Sequence, residues 1–214
     1  MIRTMGLLMC IVCVTVSFAS ADILLVNGSF EEGTETTSYA SGDSAITGWS
    51  HNGGGNVAMY HVNSSISNAY FPMATSDAGS YYGGVGAKYV KNAFVYLSRN
   101  VETLEIGQEY TIAGYVNNGN PAHGYWQVKI GGTVLGSGDL NSTWQRFSFT
   151  YTANETDGVN PTIYLGYVDN ESAGGTQSSV LYDEVTIVPI PEPATMMMFA
   201  SGLFGAAIRK KHAL

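Results

Sequence analysis

The clearest structural signal in the chain is Trp144-Gln145-Arg146-Phe147-Ser148-Phe149-Thr150-Tyr151. Phe147, Phe149 and Tyr151 alternate with polar residues, so in an extended conformation the three rings share one face. Alternation with a period of two is typical of a half-buried β-strand. The stretch therefore predicts a strand that packs its aromatic face on a core.

The same alternation recurs on both sides of this stretch. In Tyr125 to Ile130 it places Trp126, Val128 and Ile130 inward, and Gly131-Gly132 then turns the chain into a hairpin with 133–135. Further strands are predicted over 23–26, 57–61, 94–101, 108–116, 162–168 and 180–187. Eight or nine short strands with little helical periodicity predict an all-β protein, an antiparallel β-sandwich or jelly roll.

Glycine and asparagine clusters mark the predicted connections. Turns are expected at 117–120 and 173–175, and loops at the Gly-rich segment 51–56 and at Tyr81-Tyr82-Gly83-Gly84. Because loops tend to carry binding residues, the last two segments are candidate ligand-binding loops.

The N-terminus carries an export signal. Residues 1–21 combine Arg3, an apolar run and the small-residue ending Ala19-Ser20-Ala21, which predicts a signal peptide cut before Asp22 and export by the Sec machinery. An uncleaved membrane anchor is the alternative, although the run is short for a span. Both cysteines, at positions 10 and 13, lie in this segment, so the mature chain has no thiol for a disulfide, a metal or a nucleophile.

The charge of the exported domain restricts its partners. Between Asp22 and Val188 the chain has 16 acidic and 5 basic residues, a net charge of about −11. Nucleic acid is excluded as a partner because phosphate binding needs a basic surface. Divalent cations and neutral ligands remain compatible with this charge.

The C-terminal tail, 189–214, has three parts in a fixed order. Pro191-Glu192-Pro193 is followed by an apolar stretch over 194–208 and then by Arg209-Lys210-Lys211, a basic stop that would hold the end in the cytoplasm. This order resembles the PEP-CTERM sorting signal of Gram-negative bacteria. The resemblance implies a short transmembrane helix, recognition by an exosortase-type enzyme, processing near the tripeptide, and delivery to the cell surface or extracellular matrix. The apolar stretch has 15 residues, fewer than the ~20 of a comfortable span, and a plain anchor that is never cut is the alternative.

The domain between the two signals, 22–188, resembles the galactose-binding-like jelly roll of family 4/9-type carbohydrate-binding modules. The resemblance rests on four segments, 25–33, 46–49, 104–111 and 181–187. It implies that the first and last strands lie close together, tied by a structural calcium ion with Glu31 and Asp183 as carboxylate ligands. Ca²⁺ takes about six to eight oxygen ligands, which suits an acidic domain without disulfides. The alternative is that both residues are solvated acids at strand ends.

Sugar recognition in such modules uses aromatic faces, and glycans of the envelope or exopolysaccharide are the implied ligands. Tyr81, Tyr82 and Tyr125 are the predicted ligand-binding residues. The three tryptophans, Trp49, Trp126 and Trp144, are assigned to the core; Trp126 fits the inward phase of its strand and Trp49 follows a framework Thr-Gly pair.

Catalysis has little support in the sequence. No pair of acids has a recognisable glycosidase context, and His51, His61 and His123 lack a zinc or nucleophile motif. The prediction is a non-enzymatic carbohydrate-binding protein. A purely structural or adhesive matrix protein is the second interpretation and a glycoside hydrolase the third. An exposed aromatic platform beside a groove would favour binding, an unbroken polar face a structural role, and two facing carboxylates a hydrolase.

Overall fold

The computed structural model describes residues 24–34, 46–52, 57–63, 80–88, 92–120, 124–170 and 177–191. These residues form strands and no α-helix, and none of them belongs to a helix that could cross a membrane. The signal peptide with Ala19 and Ala21, the apolar stretch and the basic stop lie outside the described residues, as do Glu192 and Pro193.

The all-β prediction is confirmed, with ten strands in the described part of the chain. They are β1 (Ser50–His51), β2 (Val57–Asn63), β3 (Tyr81–Lys88), β4 (Phe94–Asn100), β5 (Glu109–Asn120), β6 (Gly124–Ile130), β7 (Thr133–Asp139), β8 (Gln145–Thr152), β9 (Thr162–Asp169) and β10 (Gln177–Pro189).

The strands form two antiparallel sheets. The first sheet has the order β1-β4-β9-β6-β7 and the second the order β2-β3-β10-β5-β8. The last strand lies at the centre of the second sheet, and the amide of Leu24 donates to the carbonyl of Ile187 at 3.1 Å. The start of the described chain and its last strand therefore meet, as the predicted jelly roll requires.

The core lies between the sheets and follows the alternation read from the sequence. Trp126, Val128 and Ile130 are buried, as predicted, and Gly131 turns β6 into the β7 hairpin with a φ of 53°. Opposite them the second sheet contributes buried side chains at 85, 112, 147, 180, 182 and 187. Burying each large apolar side chain stabilises the fold by about 1.5–3 kcal/mol.

Three local predictions are wrong. Residues 24–26 form no strand, because a turn over 24–30 takes the chain past β10 with φ values of 51° at Asn27 and 59° at Phe30. The expected turn at 117–120 belongs to β5. The expected loop at 81–84 begins β3, where Gly83 and Gly84 allow Phe30 and Leu181 to pack directly on the backbone.

Asn27 holds this N-terminal turn against the segment before β1. Its Nδ2 donates to the carbonyls of Glu32 at 3.0 Å and Thr47 at 3.1 Å, and its Oδ1 accepts the amide of Glu32 at 3.1 Å. Its own carbonyl accepts the indole Nε1 of Trp49, which is 5% exposed. Two of the segments that carried the resemblance, 25–33 and 46–49, are thus one hydrogen-bonded unit.

The end of β10 extends past the boundary expected at 188. The amide of Ile190 donates to the carbonyl of Glu109 at 2.8 Å, and Nε2 of Gln108 donates to the carbonyl of Ile190 at 2.6 Å. Pro191, the first residue of the tripeptide, is exposed. The folded domain therefore reaches the sorting motif without a linker.

Candidate functional site

The outward side of the first sheet carries a group of aromatic residues, called here the aromatic face. In β4, Val95 and Leu97 are buried in the core, so Phe94 and Tyr96 lie on the opposite side. The register places Tyr125 of β6 in the same row as Phe94, with Val168 of β9 between them. The aromatic face consists of half-buried side chains on three adjacent strands: Phe94, Tyr96, Tyr125 and Tyr164, with Gln127 and Lys129.

The rings of the aromatic face pack on one another at its centre. The centroids of Phe94 and Tyr96 are 5.1 Å apart, and those of Tyr96 and Tyr164 are 4.9 Å apart with an interplanar angle of 86°. Between Tyr96 and Gln127 the register places Gly166, where a Cβ would collide with the carbonyl of Val95. No other residue type can occupy this position without moving β4.

Asn52 fixes the edge of the aromatic face. Its Nδ2 donates to the carbonyl of Phe94 at 2.8 Å, and its Oδ1 accepts the amide of Tyr96 at 2.9 Å. The side-chain amide thereby satisfies two backbone groups of β4 beyond the end of the short strand β1. Asn52 therefore positions the two aromatic residues through their backbone.

A polar hollow of about 300 Å³ continues the aromatic face at one end. It is lined by Gly48, Ser50, Ser98, Arg99, Asn100 and Thr162. Ser98 pairs with Tyr164 across β4 and β9, so the hollow and the rings are neighbours. Arg99 is held there by donating from Nη1 to the carbonyl of Thr47 at 2.9 Å. An aromatic platform beside a hollow is the arrangement that the sequence analysis associated with binding.

The three tyrosines predicted to bind ligand do not come together. Tyr125 lies on the aromatic face, whereas Tyr81 and Tyr82 lie in β3 of the second sheet. The half-buried Tyr81 stacks on His61 at 4.5 Å. Tyr82 is 0% exposed and packs edge-on against Trp144 at 5.6 Å. A ring without exposed surface has no face to offer a sugar, so Tyr82 is corrected to a core residue.

The buried position of Tyr82 also changes its acidity. Burial, and then the nearby carboxylate of Asp183, raise the pKa of the Tyr82 hydroxyl well above its ordinary value of 10. The hydroxyl therefore stays protonated at any physiological pH. Tyr82 has the chemistry of a structural residue.

The predicted calcium ligands both bind backbone amides. The exposed Glu31 accepts the amides of Ser80 and Tyr81, each at 3.2 Å. Asp183 is 1% exposed, and its Oδ1 accepts the amide of Glu184 at 2.8 Å. The described residues do not gather three or more His, Cys, Asp or Glu side chains into a metal site. Calcium at Glu31 and Asp183 therefore stays a prediction.

A larger groove of about 610 Å³ lies on the second sheet, next to the turn over 24–30. It opens where β10 has a bulge, with Glu184 at a φ of 49° and the amide of Val185 donating to the carbonyl of Gly28 at 2.9 Å. Its polar lining includes Arg146 and Glu184, with Tyr115 beside them. Glu184 is the one carboxylate among its lining residues, whereas glycoside hydrolysis requires two.

The C-terminal tail matches a known family of sorting signals. Residues 189–211 match the PEP-CTERM protein-sorting motif. The tail and the sandwich together define a class of protein: an exported β-sandwich attached at the cell envelope and processed by an exosortase. No curated protein matches the sequence significantly.

Several solved structures resemble the sandwich. The Stig cyclase Fisc from Fischerella sp. TAU is 17% identical with a TM-score of 0.54, covering 80% of this chain and 99% of that one. The CBM22-1 xylan-binding domain of Paenibacillus barcinonensis Xyn10C is 20% identical with a TM-score of 0.48, covering 80% and 97%. A CBM4 structure is 18% identical with a TM-score of 0.41, covering 77% and 98%. At such low identity the likeness to the cyclase shows a shared fold alone.

Most of the aromatic face is not predicted by the sequence. Tyr125 is a predicted ligand-binding residue, but Phe94, Tyr96 and Tyr164 are predicted only as ordinary strand residues. The sequence offered no sufficient signal, because both phases of β4 are apolar; the structure shows that positions 94, 96 and 164 alternate with the buried Val95, Leu97 and Leu165.

Proposed function

We propose that this protein is a non-catalytic glycan-binding protein of the cell surface or extracellular matrix, and that it binds through the aromatic face. One observation carries the proposal. Four aromatic side chains occupy outward positions on three adjacent strands, keep part of their surface open, and adjoin a polar hollow.

The chemistry of the face suits a sugar ring. A pyranose has apolar C–H faces that pack on aromatic rings and hydroxyl groups that need hydrogen-bond partners. Tyr96 and Tyr164 supply ring surface, while Gln127 and the hollow residues Ser98 and Asn100 supply amide and hydroxyl groups. Successive outward residues on a strand are about 7 Å apart, so the face is extended along β4 and suits a chain of sugar units.

The proposed function is non-catalytic because neither the hollow nor the groove has, among its described residues, the two carboxylates that glycoside hydrolysis requires. The residues that line the hollow include no carboxylate, and those that line the groove on the second sheet include one, Glu184. Assaying release of reducing ends from the polysaccharides below tests this part. Turnover that Glu184→Gln abolishes would favour the hydrolase instead.

The binding prediction is tested with the full-length chain, purified in detergent, on a panel of immobilised polysaccharides. Tyr96→Ala and Tyr164→Ala are each expected to weaken retention about 5- to 30-fold, because losing one stacked ring costs about 1–2 kcal/mol. Tyr115→Ala is the matched control, since Tyr115 is a half-buried tyrosine on the second sheet. Its retention should equal that of the parent chain.

Two results would contradict the binding proposal. Equal losses for Tyr96, Tyr164 and Tyr115 would mean that the aromatic face is not the site. If the folded parent chain is retained by no polysaccharide, the structural or adhesive matrix role takes precedence.

A further inference from the structure

Lys129 lies within the aromatic face. It is an outward residue of β6 in the same row as Tyr164, and its Nζ is 5.3 Å from the ring centroid of Phe94 and 5.9 Å from that of Tyr164. Ring faces attract an ammonium group at these distances. No carboxylate among the described residues forms an ion pair with Lys129. The rings therefore hold a positive charge on the face without neutralising it.

Two basic residues of this acidic domain lie at the aromatic face and its hollow. Of its 5 basic residues, Lys129 lies on the aromatic face and Arg99 lines the adjoining hollow. The nearest acid in the register is the exposed Asp139, which pairs with Tyr125 at the other end of the face. The residues of the aromatic face and the hollow thus include two cations and no carboxylate, whereas the domain as a whole is negative.

A positive charge gives no particular advantage in binding a neutral glycan, because side-chain amides bind hydroxyl groups as well as an ammonium group does. A carboxylate or sulfate on the sugar is different: an ammonium group binds it through charge-assisted hydrogen bonds. Excess negative charge elsewhere on the domain would also repel an anionic polymer from any other surface. On the second sheet Arg146 also lies beside a ring, that of Tyr115, but there the groove includes the carboxylate of Glu184.

We infer that the aromatic face selects an anionic glycan and that Lys129 binds its negatively charged group. This inference rests on the proposed function, since it names the glycan class bound at the same site. Aromatic rings hold the apolar side of the sugar, and Lys129 pairs with its acidic group. Carboxylated and sulfated sugars share this chemistry, and the experiment below separates them.

The test compares polymers that differ in charge alone. The full-length chain in detergent is titrated with polygalacturonate, with the same polymer fully methyl-esterified, and with dextran and dextran sulfate. Lys129→Met keeps the apolar stem and removes the charge, while Lys129→Arg keeps the charge. Arg146→Gln removes an exposed base on the second sheet and serves as the control.

The expected result is preferential binding of polygalacturonate, weakened about five- to tenfold by Lys129→Met. Lys129→Arg and Arg146→Gln should bind it like the parent, and the methyl ester should bind equally to all four chains. Lys129-dependent binding of dextran sulfate alone would support the inference and identify sulfate as the group. Binding of charged and neutral polymers with equal affinity, unaffected by Lys129→Met, would overturn the inference and leave the proposed function intact. Binding of no polymer would remove the proposed function itself.

Discussion

The side chain of Asp157 lies between the β6–β7 hairpin of the first sheet and the end of β8 in the second. Its carboxylate accepts bonds from the Gly132 amide at 2.8 Å and Thr133 Oγ1 at 3.3 Å, both in the hairpin of the first sheet. It also accepts bonds from the Tyr151 hydroxyl and Asn154 Nδ2, each at 2.9 Å, at the end of β8 in the second sheet. One carboxylate therefore fastens the β6–β7 hairpin to the chain that follows β8.

These bonds make the stability of the fold depend on pH. Burial acts to raise the pKa of the Asp157 carboxyl, but its four hydrogen bonds outweigh burial and hold the pKa below its ordinary value of 3.8. Burial and then the bond to Asp157 raise the pKa of Tyr151 to about 12. A carboxyl with a lowered folded pKa stabilises the fold above its ordinary pKa and loses that effect as the pH falls through the lower value.

Asp157→Asn is expected to lower the free energy of unfolding by about 1–3 kcal/mol at neutral pH, because charge-assisted bonds become neutral ones. The difference from the parent chain should shrink in strong acid, where Asp157 is itself protonated. Urea denaturation at both pH values measures it, with Glu155→Gln, an exposed acid in the same turn, as the control. A loss that is the same at both pH values would assign the effect to packing.

At the scale of strands, most of the longer strands were predicted from the sequence, and β3 was misread as a loop. β8 and β6 alternate cleanly, and both were found where expected. β3 reads as a loop because its glycines carry no side chains, yet they provide the space into which Phe30, Tyr60 and Leu181 pack. Those partners come from other parts of the chain, so no local pattern could reveal them.

The aromatic face was hard to predict for a related reason. In β4 the inward pair Val95 and Leu97 and the outward pair Phe94 and Tyr96 are all apolar, so hydrophobicity does not distinguish core from surface. Only the burial of Val95 and Leu97 between the sheets settles which pair faces outward. Tyr125 was identifiable because its neighbour in β6, Trp126, is part of a strict alternation.

Gly86 shows how closely β3 packs against its neighbours. A Cβ at this position would lie 2.8 Å from Cε2 of Tyr60 and 2.9 Å from the carbonyl of Ser178 in β10. Because the carbonyl belongs to a paired central strand, Gly86→Ala should destabilise the fold by about 1–3 kcal/mol. Gly132→Ala is the control, since its nearest atom is 3.8 Å away. Thermal unfolding compares the two, and equal midpoints would show that β3 can shift to make room.

At the scale of the whole molecule, the sandwich is joined to the sorting motif without a flexible linker. β10 is central in its sheet, Ile190 is bonded to Glu109 and Gln108, and the tripeptide starts at the next residue. Residues 191–193 span at most about 10 Å, so until processing the sandwich is held that close to the start of the apolar stretch. An enzyme that cuts near the tripeptide must therefore act directly beside the end of the folded strand β10.

This geometry predicts that access to the tripeptide limits the rate of processing. A flexible Gly/Ser spacer inserted between Ile190 and Pro191 should speed processing in a host that has the exosortase, because the tripeptide is then separated from β5 and β10. Gln108→Ala, which removes the bond to the Ile190 carbonyl, should speed it less. The same spacer inserted after Ser142, in the exposed turn between β7 and β8, should leave the rate unchanged. Pulse-chase labelling measures the three rates, and an unchanged rate for the spacer after Ile190 would mean that the enzyme takes the tripeptide while the end of β10 stays in its sheet.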